Sequence, residues 1–369
     1  MKKIRVLIVD DSAVMRKFLT ETLSKEKGIE VVATALDPFI AVDKIKKFNP
    51  DVLTLDVEMP RMDGLTFLSK LMIARPMPVV MVSSFTEAGA RVTMRALELG
   101  AVDFVLKPAL DAGSMPEEFS RALIEKIIAA SRSKVFNKIG PADRTDILEE
   151  SLEKYTADVI LPPKKGKTAK RYSEAVIAIG ASTGGTEAIA GIFKWLPEDL
   201  PGIVVVQHMP EKFTRAFADR INGISRLYVK EAEQGDRLYR GMALIAPGNR
   251  HMLLRSDAKG YYAELNDGLP VSRQRPSVDV LFRSVAQTAG RDAVGILLTG
   301  MGADGAAGLL EMKEAGAVTI AQDEATSVVF GMPREAIKLG AAKMIMGITG
   351  IIQYIEDLQV KGEAPKTVS

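Results

Sequence analysis

Short runs of apolar and β-branched residues alternate with amphipathic stretches along most of the chain, and many of the runs end in polar residues. From Ile4 to about Arg132 the runs are IRVLIVD, VVATAL, DVLTLD, PVVMVSS and VDFVLK, which predicts a five-stranded parallel sheet with helices on both faces. Between Ser133 and Arg171 periodicity is lost and Pro141, Pro162, Pro163 and Gly166 act as breakers, so this stretch reads as a connector with a short helix near Ile147 to Tyr155. From Tyr172 the alternation resumes with AVIAIG, GIVVVQH, MALIAP, HMLLRSD, YYAELND, VGILLTG and AVTIAQD. These predict a second, doubly wound α/β domain whose middle strands include a hairpin, so that its sheet is mixed. The expected organisation is a domain over 1–132, a connector over 133–171, a second domain over 172–355 and a tail over 356–369.

A chain of 369 residues accommodates two such domains. Lys+Arg 49 against Asp+Glu 47 gives a net charge of +2, which argues against a nucleic-acid partner and makes any electrostatic function local. Cys 0 excludes a thiol nucleophile, a disulfide framework and thiolate metal ligands, and it fits a reducing, cytoplasmic setting. The opening MKKIRVLIVD has too short an apolar run for a secretory signal, and no stretch reaches the roughly 18 apolar residues of a membrane span.

In an open parallel sheet, ligands bind beyond the carboxyl ends of the strands. Asp10 and Asp11 end the first run, Asp56 the third, Ser83 the fourth and Lys107 the fifth. Adjacent carboxylates repel unless a cation joins them, and oxygen ligands suit Mg²⁺, so Asp10, Asp11 and Asp56 form a candidate magnesium site. With charge neutralised there, Asp56 can attack a phosphoryl group whose oxygens Lys107 and Ser83 bind. A single strand-end Asp is as readily a helix cap, but capping does not account for all five residues together. VDDSAVMRK, LDVEMPRMDG, MVSS and DFVLKP resemble the receiver domain of two-component response regulators, a flavodoxin-like fold, over residues 1–130. The resemblance implies Asp56 as the phosphorylated residue, Mg²⁺ between Asp10, Asp11, Asp56 and the Glu58 carbonyl, and Ser83 with Phe104 as the switch. Phe104 stands where tyrosine is common, and as a core aromatic it needs no such role.

In the second domain, Gly180-Ala181-Ser182-Thr183-Gly184 matches the G-x-S-x-G turn that presents a serine nucleophile at a helix N-terminus. The competing reading is a dinucleotide-binding glycine loop, which would make this a nucleotide-binding output domain. Ser182 interrupts that fingerprint, and the next strand ends in Gln207-His208 where an acid is expected. Serine needs a base, and His 2 leaves His208 and His251; His208 ends a strand on the rim of Ser182, whereas His251 begins one and has a turn role or substrate contact as its readings. Asp304, in the glycine-flanked turn of VGILLTGMGADGAAGLL, is the carboxylate to orient the imidazole, although an Asp there also serves as a simple N-cap.

The motifs IGASTGG, QHMP, APGNRHM and TGMGADGA resemble the catalytic domain of the chemotaxis protein-glutamate methylesterase family, CheB, over about residues 172–350, and receiver, connector and esterase stand in that family's order. This implies a serine hydrolase that removes methyl esters from glutamates, and deamidates glutamines, on methyl-accepting chemoreceptors. Ser182 would be the nucleophile, His208 the base and Asp304 the orienter, with Thr183 and the Met301 backbone near the oxyanion and no cofactor for hydrolysis. A chemotaxis histidine kinase would supply the phosphoryl group. A connector of about 40 residues keeps the domains at roughly millimolar effective concentration, so phosphorylation of the first is expected to control the second.

Overall fold

The computed structural model describes residues 3–84, 86–108, 116–133, 155–163 and 174–361. The chain forms two compact units, Met1–Gly140 and Pro141–Ser369. In the first, β1 (Ile4–Val9), β2 (Ile29–Ala35), β3 (Val52–Asp56), β4 (Val79–Ser83) and β5 (Asp103–Leu106) pair in parallel in the order β2-β1-β3-β4-β5. The central strands are buried along their length because helices cover both faces. Those helices are α1 (Ala13–Ser24), α2 (Pro38–Phe48), α3 (Gly64–Ala74), α4 (Glu87–Glu98) and α5 (Glu117–Ser131); α1 packs on α5, and α3 on α4. Ser12, Asp37, Asp63 and Thr86 each accept a backbone N–H from the helix they precede, so the caps are local and the strand-end aspartates remain available.

The second unit contains β6 (Val176–Ala181), α6 (Gly185–Phe193), β7 (Gly202–Gln207), α7 (Phe213–Ile224), β8 (Tyr228–Glu231), β9 (Arg237–Leu238) and β10 (Met242–Ile245). It continues with β11 (His251–Asp257), β12 (Gly260–Asn266), α8 (Val278–Thr288), β13 (Ala293–Leu297), α9 (Ala306–Glu314), β14 (Val318–Gln322), α10 (Met332–Lys338), β15 (Met344–Met346) and α11 (Ile348–Lys361). Seven strands form one parallel sheet in the order β15-β14-β13-β6-β7-β10-β8. Helix α6 packs with α7 and α11, and α9 with α8 and α10, giving two helical layers.

The expected mixed sheet is corrected: the β11–β12 hairpin leaves the main sheet and joins β9 in a separate antiparallel sheet of three strands. Its alternation shows why, since Tyr261 and Ala263 of β12 enter the core while Tyr262 and Glu264 stay partly exposed. Such one-sided strands suit an antiparallel sheet, and this one lies against α8.

The end of the expected connector is structured. Residues Ala157–Val159 form a turn of 3-10 helix, and Ala157, Ile160 and Leu161 pack on Leu253, Val271 and Val280. Arg283 in α8 holds this strap through Asp158 Oδ1 at 2.5 Å and the Leu161 carbonyl at 2.9 Å. The short helix expected near Ile147 to Tyr155 lies, Tyr155 apart, outside the described residues, as do the other connector residues over 134–154 and 164–171. The expected tail from 356 begins as the last turns of α11, while residues 362–369 lie outside the described residues.

Candidate functional site

Strand order reverses between β1 and β3 in the first sheet and between β13 and β6 in the second, and a crevice opens beyond the carboxyl ends at such a reversal. In the first unit the crevice carries Asp10 and Asp11 after β1 and Asp56 at the end of β3, with one carboxylate oxygen from each within 4.8 Å of the others. Lys107 Nζ lies 2.7 Å from Asp56 Oδ2 and 3.2 Å from Asp10 Oδ2. Burial pushes the Asp56 carboxyl up to about 6 despite Lys107, and raises Asp10 as well. Burial also opposes the charge of Lys107, but Asp56 and Asp10 outweigh it and hold its pKa above the usual lysine value. Asp10 Oδ2 is buried and, among the described residues, is met by Lys107 Nζ alone, which leaves it acceptor capacity for a divalent cation among these oxygens, so the donor set fits Mg²⁺. Beside the carboxylates opens a cavity of about 580 Å³ lined in part by Asp11, Glu58, Met59, Asp63 and Gly89.

Not every residue of this group faces the crevice. The Ser83 hydroxyl is fully buried and accepts a 2.7 Å hydrogen bond from Thr93 Oγ1 in α4. Phe104 is also buried, with Lys126 Nζ 4.9 Å from its ring centroid. Glu58 donates its N–H to Asp56 Oδ1 at 3.3 Å.

In the second unit, β6 ends at Ala181 and the chain turns through Ser182 into α6. Gly184 makes this turn with φ +78, and a Cβ there would stand 2.5 Å from Val328 Cβ. The turn after β13 runs alongside, since a Cβ on Gly300 would stand 2.8 Å from Ser182 Cβ. His208 follows β7, the neighbour of β6, and its N–H donates to the Ala181 carbonyl at 3.1 Å. His208 Nε2 lies 2.7 Å from Asp304 Oδ2. Its Nδ1 is buried and makes no hydrogen bond among the described residues, so the Ser182–His208 bond is not closed.

Asp304 does not cap the helix that follows it, because Gly305 occupies that position. Its carboxylate instead sits at the N-terminus of α8. Oδ1 accepts from Ser277 Oγ at 2.8 Å and Asp279 N at 3.1 Å, and Oδ2 accepts from Val278 N at 2.7 Å. Burial alone would raise the Asp304 pKa, but His208 first, then Ser277 and Val278, outweigh it and hold the group below the ordinary carboxylate value. Burial, and then the charge on Asp304, push Asp279 well above the ordinary value. An ionised Asp304 only accepts, which puts the imidazole proton on Nε2 and leaves the Nδ1 lone pair available.

Several residues that hold this geometry carried no readable signal. Gln207 Nε2 bridges the Ser182 carbonyl at 2.9 Å and the His208 carbonyl at 3.3 Å. The Thr299 carbonyl accepts Ser182 N–H at 3.0 Å, and the Thr299 hydroxyl ties Thr183 to Val329. Ser182's own N–H is thereby committed. Ser277 had an N-cap signal ahead of VDVLF, but nothing in it pointed to Asp304. His251 is fully buried with both ring nitrogens hydrogen-bonded, so it does not line a substrate surface.

Family models match the chain twice: the CheB methylesterase over residues 177–355 and the response regulator receiver domain over residues 6–115. A protein-glutamate methylesterase/protein-glutamine glutaminase of Geobacter metallireducens is 56% identical over 91% of both chains. One from Rhizobium johnstonii is 51% identical over 98% of this chain and 99% of its own. The crystal structure of the Thermotoga maritima CheB methylesterase catalytic domain superposes with a TM-score of 0.50 at 37% identity, covering 51% of this chain and all of its own.

Proposed function

Because the chain belongs to the CheB methylesterase family and carries a response regulator receiver domain before the catalytic one, we propose that it is a phosphorylation-activated serine hydrolase. Its substrates are glutamate methyl esters, and glutamine amides, on chemoreceptors in the cytoplasm. The observation that carries this reading is the 2.7 Å pairing of His208 Nε2 with an Asp304 fastened by three further donors, on the rim to which β6 delivers Ser182.

In the mechanism that follows, the Ser182 hydroxyl attacks the ester carbonyl and passes its proton to His208 Nδ1. The imidazolium is stabilised by Asp304 through Nε2–H, an exchange of the two nitrogens relative to the common serine-hydrolase arrangement. N–H groups of Thr183 and Met301 receive the oxyanion, and His208 returns the proton to the leaving methanol. Water, deprotonated at Nδ1, then releases glutamate; with a glutamine substrate the first product is ammonia. Asp304 never needs to take up a proton.

In the receiver, residues 1–132 in this reading, Asp10, Asp11, Asp56 and the Glu58 carbonyl would hold Mg²⁺, which neutralises charge between the carboxylates and an incoming phosphoryl group. Asp56 is the nucleophile, Lys107 binds a phosphoryl oxygen, and Ser83 leaves Thr93 to bind another while Phe104 adjusts. A chemotaxis histidine kinase is the phosphodonor. Residues 133–171 connect this domain to the catalytic one, 172–355.

The deciding experiment is methanol release from a methylated receptor fragment by the intact protein, with and without Mg²⁺ and a small phosphodonor. Hydrolysis that rises with phosphodonor, and no longer responds in Asp56→Asn, is expected. No methanol from any methylated receptor fragment would refute the substrate assignment.

A further inference from the structure

His251 is the one other histidine of the chain, and it lies fully buried at the start of β11. The Ser277 N–H donates to its Nδ1 at 3.2 Å, and its Nε2 lies 3.0 Å from the Leu269 carbonyl. An amide N–H only donates and a carbonyl only accepts, so these partners select the neutral ring with its proton on Nε2. Ser277 is the residue that caps α8, accepting from Val280 N at 3.4 Å, and its hydroxyl reaches Asp304. The next two N–H groups of that helix complete the Asp304 cradle.

We infer that His251 is a positioning residue of the hydrolytic site, whose Nδ1 anchors Ser277 and with it the three donors that aim Asp304 at His208. The inference rests on the triad reading and extends it by one residue. His251 touches neither substrate nor the reacting atoms; it acts by fixing where α8 begins. The geometry is demanding, because both oxygens of Asp304 depend on a single helix turn. A shift of that turn rotates the carboxylate that His208 uses, and displacements of about 1 Å remote from the chemistry can cost on the order of a hundredfold in rate.

The test exploits two substitutions that each keep half of the imidazole. In His251→Asn the amide oxygen takes the place of Nδ1 and still accepts the Ser277 N–H, whereas His251→Gln reaches toward Leu269 and leaves Ser277 without its acceptor. For the full-length protein, His251→Gln and His251→Ala are expected to lower kcat for ester hydrolysis by roughly tenfold to a hundredfold with little change in KM, while His251→Asn stays within about threefold. In an Asp304→Asn background, where no carboxylate remains to be aimed, His251→Gln should cost less than about threefold further. Melting temperatures recorded alongside identify any variant that fails to fold; if His251→Ala does, the Asn and Gln pair carries the comparison. An Asn variant as impaired as the Gln variant, or an equal loss in both backgrounds, overturns the inference. Hydrolysis that Asp304→Asn leaves intact overturns the triad reading itself, and this inference with it.

Discussion

Replacing Asp304 by Asn exchanges one acceptor oxygen for a donor NH₂ at a position where each oxygen accepts from two donors. With the NH₂ on the Oδ1 side, the Ser277 hydroxyl can turn to accept, but Asp279 N–H then faces another donor. With it on the Oδ2 side, Val278 N–H is stranded and His208 must move its proton to Nδ1, which removes the base. One stranded buried donor costs about 1–3 kcal/mol of stability, partly offset because Asp279 no longer lies beside a charge. Losing the anion and the correct tautomer should lower kcat by roughly 10⁴-fold, which corresponds to about 5 kcal/mol of transition-state stabilisation. The two readouts therefore separate: urea unfolding followed by circular dichroism should show a modest loss in the catalytic transition, and methanol release a severe one. An Asn variant that stays folded and keeps more than about a tenth of the normal kcat would refute the role given to Asp304.

Ser182→Ala should abolish methanol release with the catalytic transition moved by less than about 1 kcal/mol, and turnover in that variant would remove Ser182 as nucleophile. Gly184→Ala should lower both stability and activity, since a Cβ would stand 2.5 Å from Val328 Cβ on a backbone with φ +78; an unchanged melting temperature would show that the turn relaxes freely. Adding Mg²⁺ should raise the receiver's melting temperature, and the increment should shrink when Asp56→Asn removes a ligand; equal increments would place the ion elsewhere. Burial lowers the His251 pKa from 6.5, so the unfolded chain takes up a proton that the native state refuses. Stability that is full above about 6.5 should therefore decline as pH falls below it, and a shallower decline is expected for His251→Asn in pH-resolved melts.

The amino-acid sequence by itself determined the local matters. Apolar runs such as AVIAIG and GIVVVQH had to become buried strands, and the polar residues that end them had to gather on one rim, because a strand carries its side chains at fixed positions whatever surrounds it. Gly184 announced a turn that no side chain fits, and the small number of histidines reduced the choice of base to a comparison of strand end with strand start. What the sequence left open depends on residues far apart along the chain. The β11–β12 pattern marks a hairpin but not its sheet, and only packing against α8 detaches it from the parallel strands. Asp304 reads from the sequence as the orienting carboxylate or as a cap for its own helix, but nothing in it points to the donors that hold it, which come from Ser277, Val278 and Asp279 at the head of another. Beyond one short helix the connector's sequence predicts no structure, yet Arg283, 125 residues beyond Asp158, gathers its end against the catalytic unit. Periodicity encodes which face a residue occupies, because that is settled within a few residues. Which buried polar groups satisfy one another is settled only when distant segments meet, since a buried donor takes whichever acceptor the completed fold brings within reach.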